Sequence, residues 1–328
     1  MDYRSLPKVE LHLHLDISLS YDGAVQLLPS LTREQFAREF VAPAKCTNLL
    51  DFLNRVPPVL ALEQTERGLS VLVQDVFRQL AEDGVIYAEL RFAPLLHTQQ
   101  GLSPREVVRV VEAAADRASR DTGIDSRLIL CSLRHFSAEE SLQTVQLVED
   151  FQGSRVAGFD LAGDEAGYPL TAHMEAFRFA RARGIPITSH AGEASGAQSV
   201  WDTLRDIQPA RIGHGVRCIE DPALVEHLKQ ERIHLETCPT CNVQLDVFST
   251  YADLSIDPLY RQGLSLSIST DNRTLTPITL SKEYEKLAAT FGWSKADFLK
   301  CNLNAIQAAF LPPARKAELT RVMLSEYA

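Results

Sequence analysis

Residues 9 to 16, Val-Glu-Leu-His-Leu-His-Leu-Asp, place two histidines two positions apart in a largely apolar run. Successive side chains of a strand point to opposite faces, so His12 and His14 share one face of a predicted strand. Neutral imidazole is a common metal ligand, and two of them on one face indicate a metal site. A pair of hydrogen-bonded core histidines gives the same pattern, so this segment alone leaves both interpretations open.

Further candidate ligands and proton-transfer groups lie later in the chain. His190 and Glu193 belong to the segment SHAGE, His214 is flanked by glycines in RIGHGV, and Asp271 belongs to STDN. Three imidazoles and a carboxylate suit zinc or another divalent first-row ion, and a position left to water would make the site catalytic. The predicted ligands are His12, His14, His190 and Asp271. His214 is a candidate for a fifth ligand or a base, and Glu193 for a proton donor or a charge at a helix start.

The elements that carry these residues alternate between short apolar runs and longer amphipathic runs, which indicates a parallel sheet with helical crossovers. Strands are predicted at residues 8–16, 85–93, 127–134, 156–163, 185–193, 211–216, 233–239 and 264–271. Ser103 and Pro222 are typical of helix starts. Eight strands favour a closed (β/α)8 TIM barrel, in which the active site lies at the carboxyl ends of the strands.

The span from residue 17 to residue 84 is too long for a simple crossover, and we expect extra helices to be inserted there, after the first strand. No linker, repeat or low-complexity segment divides the chain, so we predict one domain over residues 1–328.

The composition excludes several classes of function. Hydrophobic residues make up 45% of the chain, charged residues 23%, and the formal net charge is −10. Without a basic run to release counterions, neither nucleic acid nor an anionic membrane is expected as a partner, and a small-molecule substrate fits better. No signal sequence or uninterrupted apolar stretch of ~18 to 20 residues is visible, and the six cysteines form no disulfide-like framework. We therefore expect a cytoplasmic protein.

The segments LPKVELHLHLD, DLAGDE, SHAGE, RIGHGV, LETCPT and STDN occur in an order and spacing that span nearly the whole chain. In these segments the chain resembles the adenosine deaminases of the amidohydrolase superfamily. The resemblance implies a (β/α)8 barrel with one zinc ion, which hydrolyses the 6-amino group of a purine nucleoside to ammonia and an inosine-type product.

The resemblance also implies a role for each catalytic residue. His12, His14, His190 and Asp271 correspond to the zinc ligands, and zinc lowers the pKa of its bound water toward ~7. His214 corresponds to the group that takes the proton of this water and orients the attack on C6. Glu193 corresponds to the acid that protonates N1 of the purine.

The implied substrate-binding residues are His14, Asp16, Gly163, Asn272, Leu49, Phe52 and Leu53. Asp16 is expected to accept a hydrogen bond from a ribose hydroxyl, Gly163 to donate its backbone N–H to N3, and Asn272 to contact N7. The three apolar residues resemble a helix that covers the sugar, although ordinary helix packing explains them equally well. The chain departs from the family pattern at Ile17, where glycine is usual, and at Asn272, where a second aspartate is usual.

Two alternatives remain open from the sequence. One is a deaminase of adenine, of an N6-modified adenylate or of another aminopurine nucleoside, since related groups share the same metal ligands. Asp16 argues against the free base. The other is a catalytically silent barrel that binds nucleosides, which the complete set of ligands together with Glu193 and His214 disfavours.

Overall fold

A computed structural model describes residues 2–328. Its parallel strands are β1 (Lys8–His14), β2 (Val85–Phe92), β3 (Asp125–Leu133), β4 (Val156–Ala162), β5 (Thr188–Ala191), β6 (Arg211–His214), β7 (His234–Thr237) and β8 (Leu266–Ile268). They pair in the orders β1-β2-β3-β4 and β5-β6-β7-β8. Parallel bridges between Phe159 and Ile187 and between Leu13 and Asp271 join the two sheets at both seams. The predicted (β/α)8 barrel is confirmed.

Helices separate the strands and cover the barrel. They are α1 (Tyr21–Leu27), α2 (Arg33–Glu39), α3 (Leu49–Leu53), α4 (Val56–Leu60), α5 (Glu66–Glu82), α6 (Pro104–Thr122), α7 (Ala138–Asp150), α8 (Met174–Ala182), α9 (Ala197–Asp206), α10 (Pro222–Gln230), α11 (Pro239–Gln244), α12 (Ile256–Arg261), α13 (Leu280–Phe291), α14 (Lys295–Ala308) and α15 (Pro313–Glu326). Ser103 caps α6, and Pro222 opens α10, as predicted. The extra helices expected after the first strand are also confirmed, because α1 to α4 precede the crossover helix α5.

Strands β5 to β8 are shorter than predicted, and left-handed residues lie at or just beyond the carboxyl ends of three of them. His214 and Asp271 have positive φ angles of 59° and 67°, and Gly192, which follows β5, has a φ of 68°. These left-handed conformations end the extended backbone. Glu193 and Asp271 therefore lie on the loops that follow strands, at the rim of the barrel, and not on the strands themselves.

The barrel interior contains ion pairs in place of a purely apolar core. Arg91 on β2 lies 2.9 Å from Asp160 on β4 and 2.5 Å from Glu236 on β7, and it is fully buried. Arg211 on β6 lies 2.6 Å from Glu89 and 2.7 Å from Glu236. The apolar residues of the strands point outward and pack against the helices, and these inward-pointing charges lie beneath the carboxyl-end rim.

Within residues 2–328 there is no helix with both the length and the apolar character that a membrane span requires. All six cysteines are buried and unpaired.

Candidate active site

A cluster of imidazoles and one carboxylate lies at the carboxyl ends of β1, β5, β6 and β8. Ligand atoms of His12, His190, His214 and Asp271 all lie within 4.8 Å of one another. His14 Nε2 lies 3.1 Å from His190 Nε2 and 3.7 Å from Asp271 Oδ1. The structure thus brings the four predicted ligands together and adds His214, whose Nε2 lies 3.8 Å from Asp271 Oδ1.

The protonation chemistry of this cluster fits a divalent metal ion. Burial lowers the pKa of His14 to about 3 and also lowers the pKa values of His190 and His214, so these rings are neutral and able to bind a metal. Burial also lowers the pKa of His12, but the facing carboxylates of Asp271 and Glu236 outweigh this effect and raise it. His12 Nε2 is buried without a hydrogen-bond partner, although Asp271 Oδ1 is only 3.2 Å away. A metal ion between these two atoms satisfies both of them.

Two buried carboxylates orient two of the candidate ligand histidines by binding their Nδ1 atoms. His12 Nδ1 donates to Glu236 Oε2 at 2.9 Å, and His190 Nδ1 donates to Asp160 at 3.2 Å. Because a carboxylate only accepts, each Nδ1 carries the hydrogen and each Nε2 is left for the cluster. Sequence reasoning assigned no role to Asp160 or Glu236. The available signal was an acidic residue inside a strand, Asp160 in the segment FDL and Glu236 in the segment LET.

The remaining oxygen of the candidate carboxylate ligand is held by two neutral donors. Asp271 Oδ2 accepts from Asn272 Nδ2 at 2.8 Å and from Cys241 Sγ at 3.2 Å. Oδ1 is left to face the histidines. Cys241 was likewise not assigned to the site from the sequence.

Glu193 lies on the loop after β5, and a second acid fixes this loop. The carboxylate of Glu165 accepts from the backbone N–H groups of Gly192 at 2.7 Å, Glu193 at 3.0 Å and Ser195 at 2.9 Å. Burial raises the pKa of Glu193 well above its usual range, and the charges of Asp271 and Glu165 raise it further. Burial and these two charges therefore favour the protonated carboxyl of Glu193, the form that can donate a proton.

Glu193 and His214 are adjacent and share a neighbour. Glu193 Oε1 lies 3.4 Å from His214 Nε2, and Asn242 Nδ2 lies 3.4 Å from Glu193 Oε1 and 3.2 Å from His214 Nδ1. Asn242 Oδ1 has no hydrogen-bond partner among the described residues. With the amide turned so that Oδ1 takes the shared position, both the Nδ1–H of His214 and the protonated carboxyl of Glu193 donate to it. Nε2 of His214 is then free to accept a proton.

A cavity of about 280 Å³ opens above the cluster. Its polar floor is formed by His14, Asp16, His190, Glu193, His214 and Asp271. Its opposite wall is apolar and includes Leu49, Phe52 and Leu53 of α3 and Val56, Pro57 and Leu60 of α4. The predicted apolar residues therefore border the cavity, and Phe52 is at the same time part of the hydrophobic core. A flat apolar ligand with a polar edge fits such a site.

Two of the predicted substrate-binding residues lie at the cavity wall as expected. Asp16 lines the cavity, and its Oδ2 accepts from the backbone N–H of Ala93 at 3.0 Å. Gly163, which follows β4, also lines the cavity and has a φ of 94°, a conformation that favours glycine.

Asn272, for which the prediction is a contact with N7, is held by protein groups beside Asp271. Asn272 is fully buried and does not belong to the lining of the 280 Å³ cavity. Its amide donates to Asp271 Oδ2, and its Oδ1 accepts from the backbone N–H of Thr276 at 2.8 Å. The left-handed backbone of Asp271 turns the next side chain behind the carboxylate, which the sequence alone does not reveal.

Comparison with known proteins shows the family to which this chain is similar over nearly its whole length. A family profile described as adenosine deaminase matches residues 7–325. Adenosine deaminase from Enterococcus faecalis is 38% identical over 330 residues, which cover 99% of this chain and 98% of that protein. Adenosine deaminase 1 from Streptomyces coelicolor is 34% identical, with 99% of this chain and 88% of that protein covered. Among solved structures, adenine deaminase from Arthrobacter aurescens superposes with a TM-score of 0.90 at 26% identity, covering 98% of each chain. The resemblance found in the sequence motifs is confirmed.

Proposed function

Because this chain belongs to the adenosine deaminase family, we propose that it hydrolyses adenosine and 2′-deoxyadenosine to inosine or deoxyinosine and ammonia. We take residues 1–328 to act as one barrel domain. The observation that carries the proposal is the placement of Glu193 Oε1 3.4 Å from His214 Nε2 at the rim of the histidine cluster. This arrangement combines a proton donor, a proton acceptor and metal ligands in one cavity. With every thiol buried and unpaired, we place the enzyme in the cytoplasm.

We propose zinc as the metal, since imidazole nitrogen and carboxylate oxygen are both established zinc ligands. His12, His14, His190 and Asp271 would hold it, with one position open. When bound there, a zinc ion supplies Lewis acidity that lowers the pKa of a water molecule from 15.7 toward ~7.

The residues of the chain supply the proton transfers. His214 accepts a proton from the attacking water at Nε2 and orients the water toward C6 of the purine. Glu193 gives its proton to N1, which makes C6 more electrophilic as the tetrahedral centre forms. As the C6–N6 bond breaks, N6 takes the proton held by His214 and leaves as ammonia, and the proton of the new C6 hydroxyl returns to Glu193. The buried charges around Glu193 favour the protonated form that the transfer to N1 requires.

Binding of the nucleoside uses the walls of the cavity. Asp16 accepts a hydrogen bond from a sugar hydroxyl, and the backbone N–H of Gly163 donates to N3. The apolar wall from α3 and α4 covers the ligand and excludes water, which strengthens the polar interactions beneath it.

Ammonia release from adenosine by the purified protein tests this proposal directly. We expect turnover of adenosine and 2′-deoxyadenosine, and little or none of adenine or N6-methyladenylate, because Asp16 favours a sugar. Metal analysis of the same sample should find about one divalent ion per chain, since the buried cluster is otherwise left unsatisfied. A preference for adenine would show that the substrate is a different aminopurine. Tight nucleoside binding without ammonia release would show that the chain binds nucleosides without catalysing their deamination.

A further inference from the structure

Behind Asp16 lies a group of buried ionisable side chains for which the proposed mechanism has no use. His97 ends the turn after β2, and Glu63 lies between α4 and α5. Both side chains are fully buried. His97 Nε2 lies 3.9 Å from Asp16 Oδ2, and His97 Nδ1 lies 3.9 Å from Glu63 Oε2. The imidazole therefore lies between two carboxyl groups, one of which lines the substrate cavity.

The hydrogen bonds of His97 fix the direction in which it can act. Nδ1 lies 3.2 Å from the backbone carbonyl oxygen of Glu63, which only accepts, so Nδ1 carries a hydrogen. Nε2 has no hydrogen-bond partner, and neither carboxyl oxygen of Glu63 has one. Unsatisfied polar atoms at such depth are uncommon in folded proteins. With its hydrogen on Nδ1, the neutral imidazole presents Nε2 as an acceptor, and one water that donates to both Nε2 and Asp16 Oδ2 bridges the 3.9 Å between them.

Asp16 has little else to hold its orientation. Its Oδ2 accepts from the backbone N–H of Ala93, and its other oxygen is available to a ligand. With a single backbone donor the carboxylate can still rotate about its side-chain bonds, whereas a second donor on Oδ2 restricts it. Pre-orientation of a binding group reduces the free-energy cost of ordering it when the ligand binds.

We propose that His97, held by Glu63, is a positioning residue that orients Asp16 toward a sugar hydroxyl and so sets the preference for nucleosides over free purine bases. This inference rests on the proposed function, because it takes the sugar of the substrate to lie against Asp16. His97 itself is not part of the cavity lining and acts only through Asp16.

The test compares ligands that differ by one hydroxyl group in two variants of the same region. His97→Leu removes the imidazole nitrogen that faces Asp16. Gln64→Leu is the matched control, because Gln64 is buried in the same junction and donates to the backbone oxygens of Leu60 and Leu96, away from Asp16. Dissociation constants are measured by calorimetry for adenosine, its 2′-, 3′- and 5′-deoxy analogues, and adenine. All are measured in the Glu193→Gln background with metal bound, so that the readout does not depend on turnover.

We expect His97→Leu to weaken adenosine binding roughly tenfold, the size of effect typical for a lost hydrogen bond to a charged group. Adenine and the analogue that lacks the hydroxyl bound by Asp16 should bind as before. His97→Gln, which can still bind the bridging water, should restore most of the preference, and Glu63→Gln should weaken it less than His97→Leu. Gln64→Leu should change the affinities for all ligands by one common factor.

Two results would overturn the positioning role. One is that His97→Leu weakens the binding of all ligands by the same factor. The other is that Gln64→Leu weakens adenosine binding and leaves adenine binding unchanged. If His97→Leu does not fold, the test uses His97→Gln and Glu63→Gln, with Asp16→Asn as the reference. The role is overturned if Asp16→Asn loses affinity for adenosine selectively while both other variants keep the parental ligand preference. Ammonia release by the unmodified enzyme is measured separately, so a failure of the proposed function is distinguished from a failure of this inference.

Discussion

Replacement of Glu193 by glutamine isolates the proton that the proposed mechanism delivers to N1. The amide has nearly the same shape, and its N–H can donate to Asn242 Oδ1 in the place of the protonated carboxyl. Burial, together with the charges of Asp271 and Glu165, raises the pKa of the native carboxyl, and the neutral amide resembles its protonated form. The loop keeps its conformation, since Glu165 binds its backbone and not the Glu193 side chain. What the variant loses is the ability to transfer a proton.

The expected loss follows from this single defect. A positioned general acid contributes roughly 10²- to 10⁴-fold, which corresponds to about 3 to 5 kcal/mol of transition-state stabilisation. Ammonia release under saturating adenosine should therefore fall by that factor. The dissociation constant of adenosine and the metal content should change by less than about threefold, because no ligand or binding contact is removed.

A matched control uses an acid outside the cavity. Glu220 is exposed and pairs with Arg217, three residues earlier in the turn after β6, so Glu220→Gln makes the same chemical change without a role in catalysis. It should retain the parental rate. If Glu193→Gln with full metal content turns over adenosine within a few-fold of the parent, Glu193 is not the acid, and the proton for N1 comes from another group.

Three further predictions concern the candidate metal site and the side chains that form hydrogen bonds to it. Asp271→Ala should lose bound metal and ammonia release together, as measured by elemental analysis and activity on one preparation, because it removes the carboxylate at the centre of the histidine cluster. Asp160→Asn should weaken metal affinity roughly 10- to 100-fold in a chelator competition assay, since the hydrogen bond that orients His190 is weakened while Arg91 keeps its pairing with Glu236. Asn272→Ala should lower the free energy of unfolding by about 1 to 3 kcal/mol in urea titration, because its partners remain buried. In Asn272→Ala the ratio of kcat/KM between adenosine and its 7-deaza analogue should be the same as in the parent. A changed ratio would show that Asn272 contacts the purine.

The alternation of polar and apolar residues was sufficient to predict the barrel and the convergence of most site residues. On β1 the period of two places His12 and His14 on the face toward the barrel axis, and Leu13 on the face toward the helices. The carboxyl ends of parallel strands meet at one rim, so residues at the ends of strands far apart in sequence could be expected to lie together. This argument depends only on local pattern and on the closure of the sheet.

The supporting contacts could not be predicted, because they join residues that are far apart in the chain. Nothing near Glu236 in the sequence indicates that its carboxylate receives a hydrogen from His12, which is 224 positions away. The left-handed conformation of Asp271 depends on tertiary contacts, and it decides that Asn272 lies behind the carboxylate and not in the cavity. Local sequence thus predicted which residues reach the rim, while tertiary contacts determined the direction in which they point.

The buried charges beneath the cluster connect the stability of the barrel to the orientation of its ligands. Ion pairs in a low-dielectric interior often contribute less than well-packed apolar residues would, because desolvation offsets their attraction. Here Arg91 forms ion pairs with Asp160 and Glu236. The same two carboxylates accept the Nδ1 hydrogens of His190 and His12. An apolar replacement for the whole group would leave those two nitrogens without acceptors and the rings without a fixed tautomer. The ion pairs are therefore better explained by the ligand geometry that they impose than by the stability that they add.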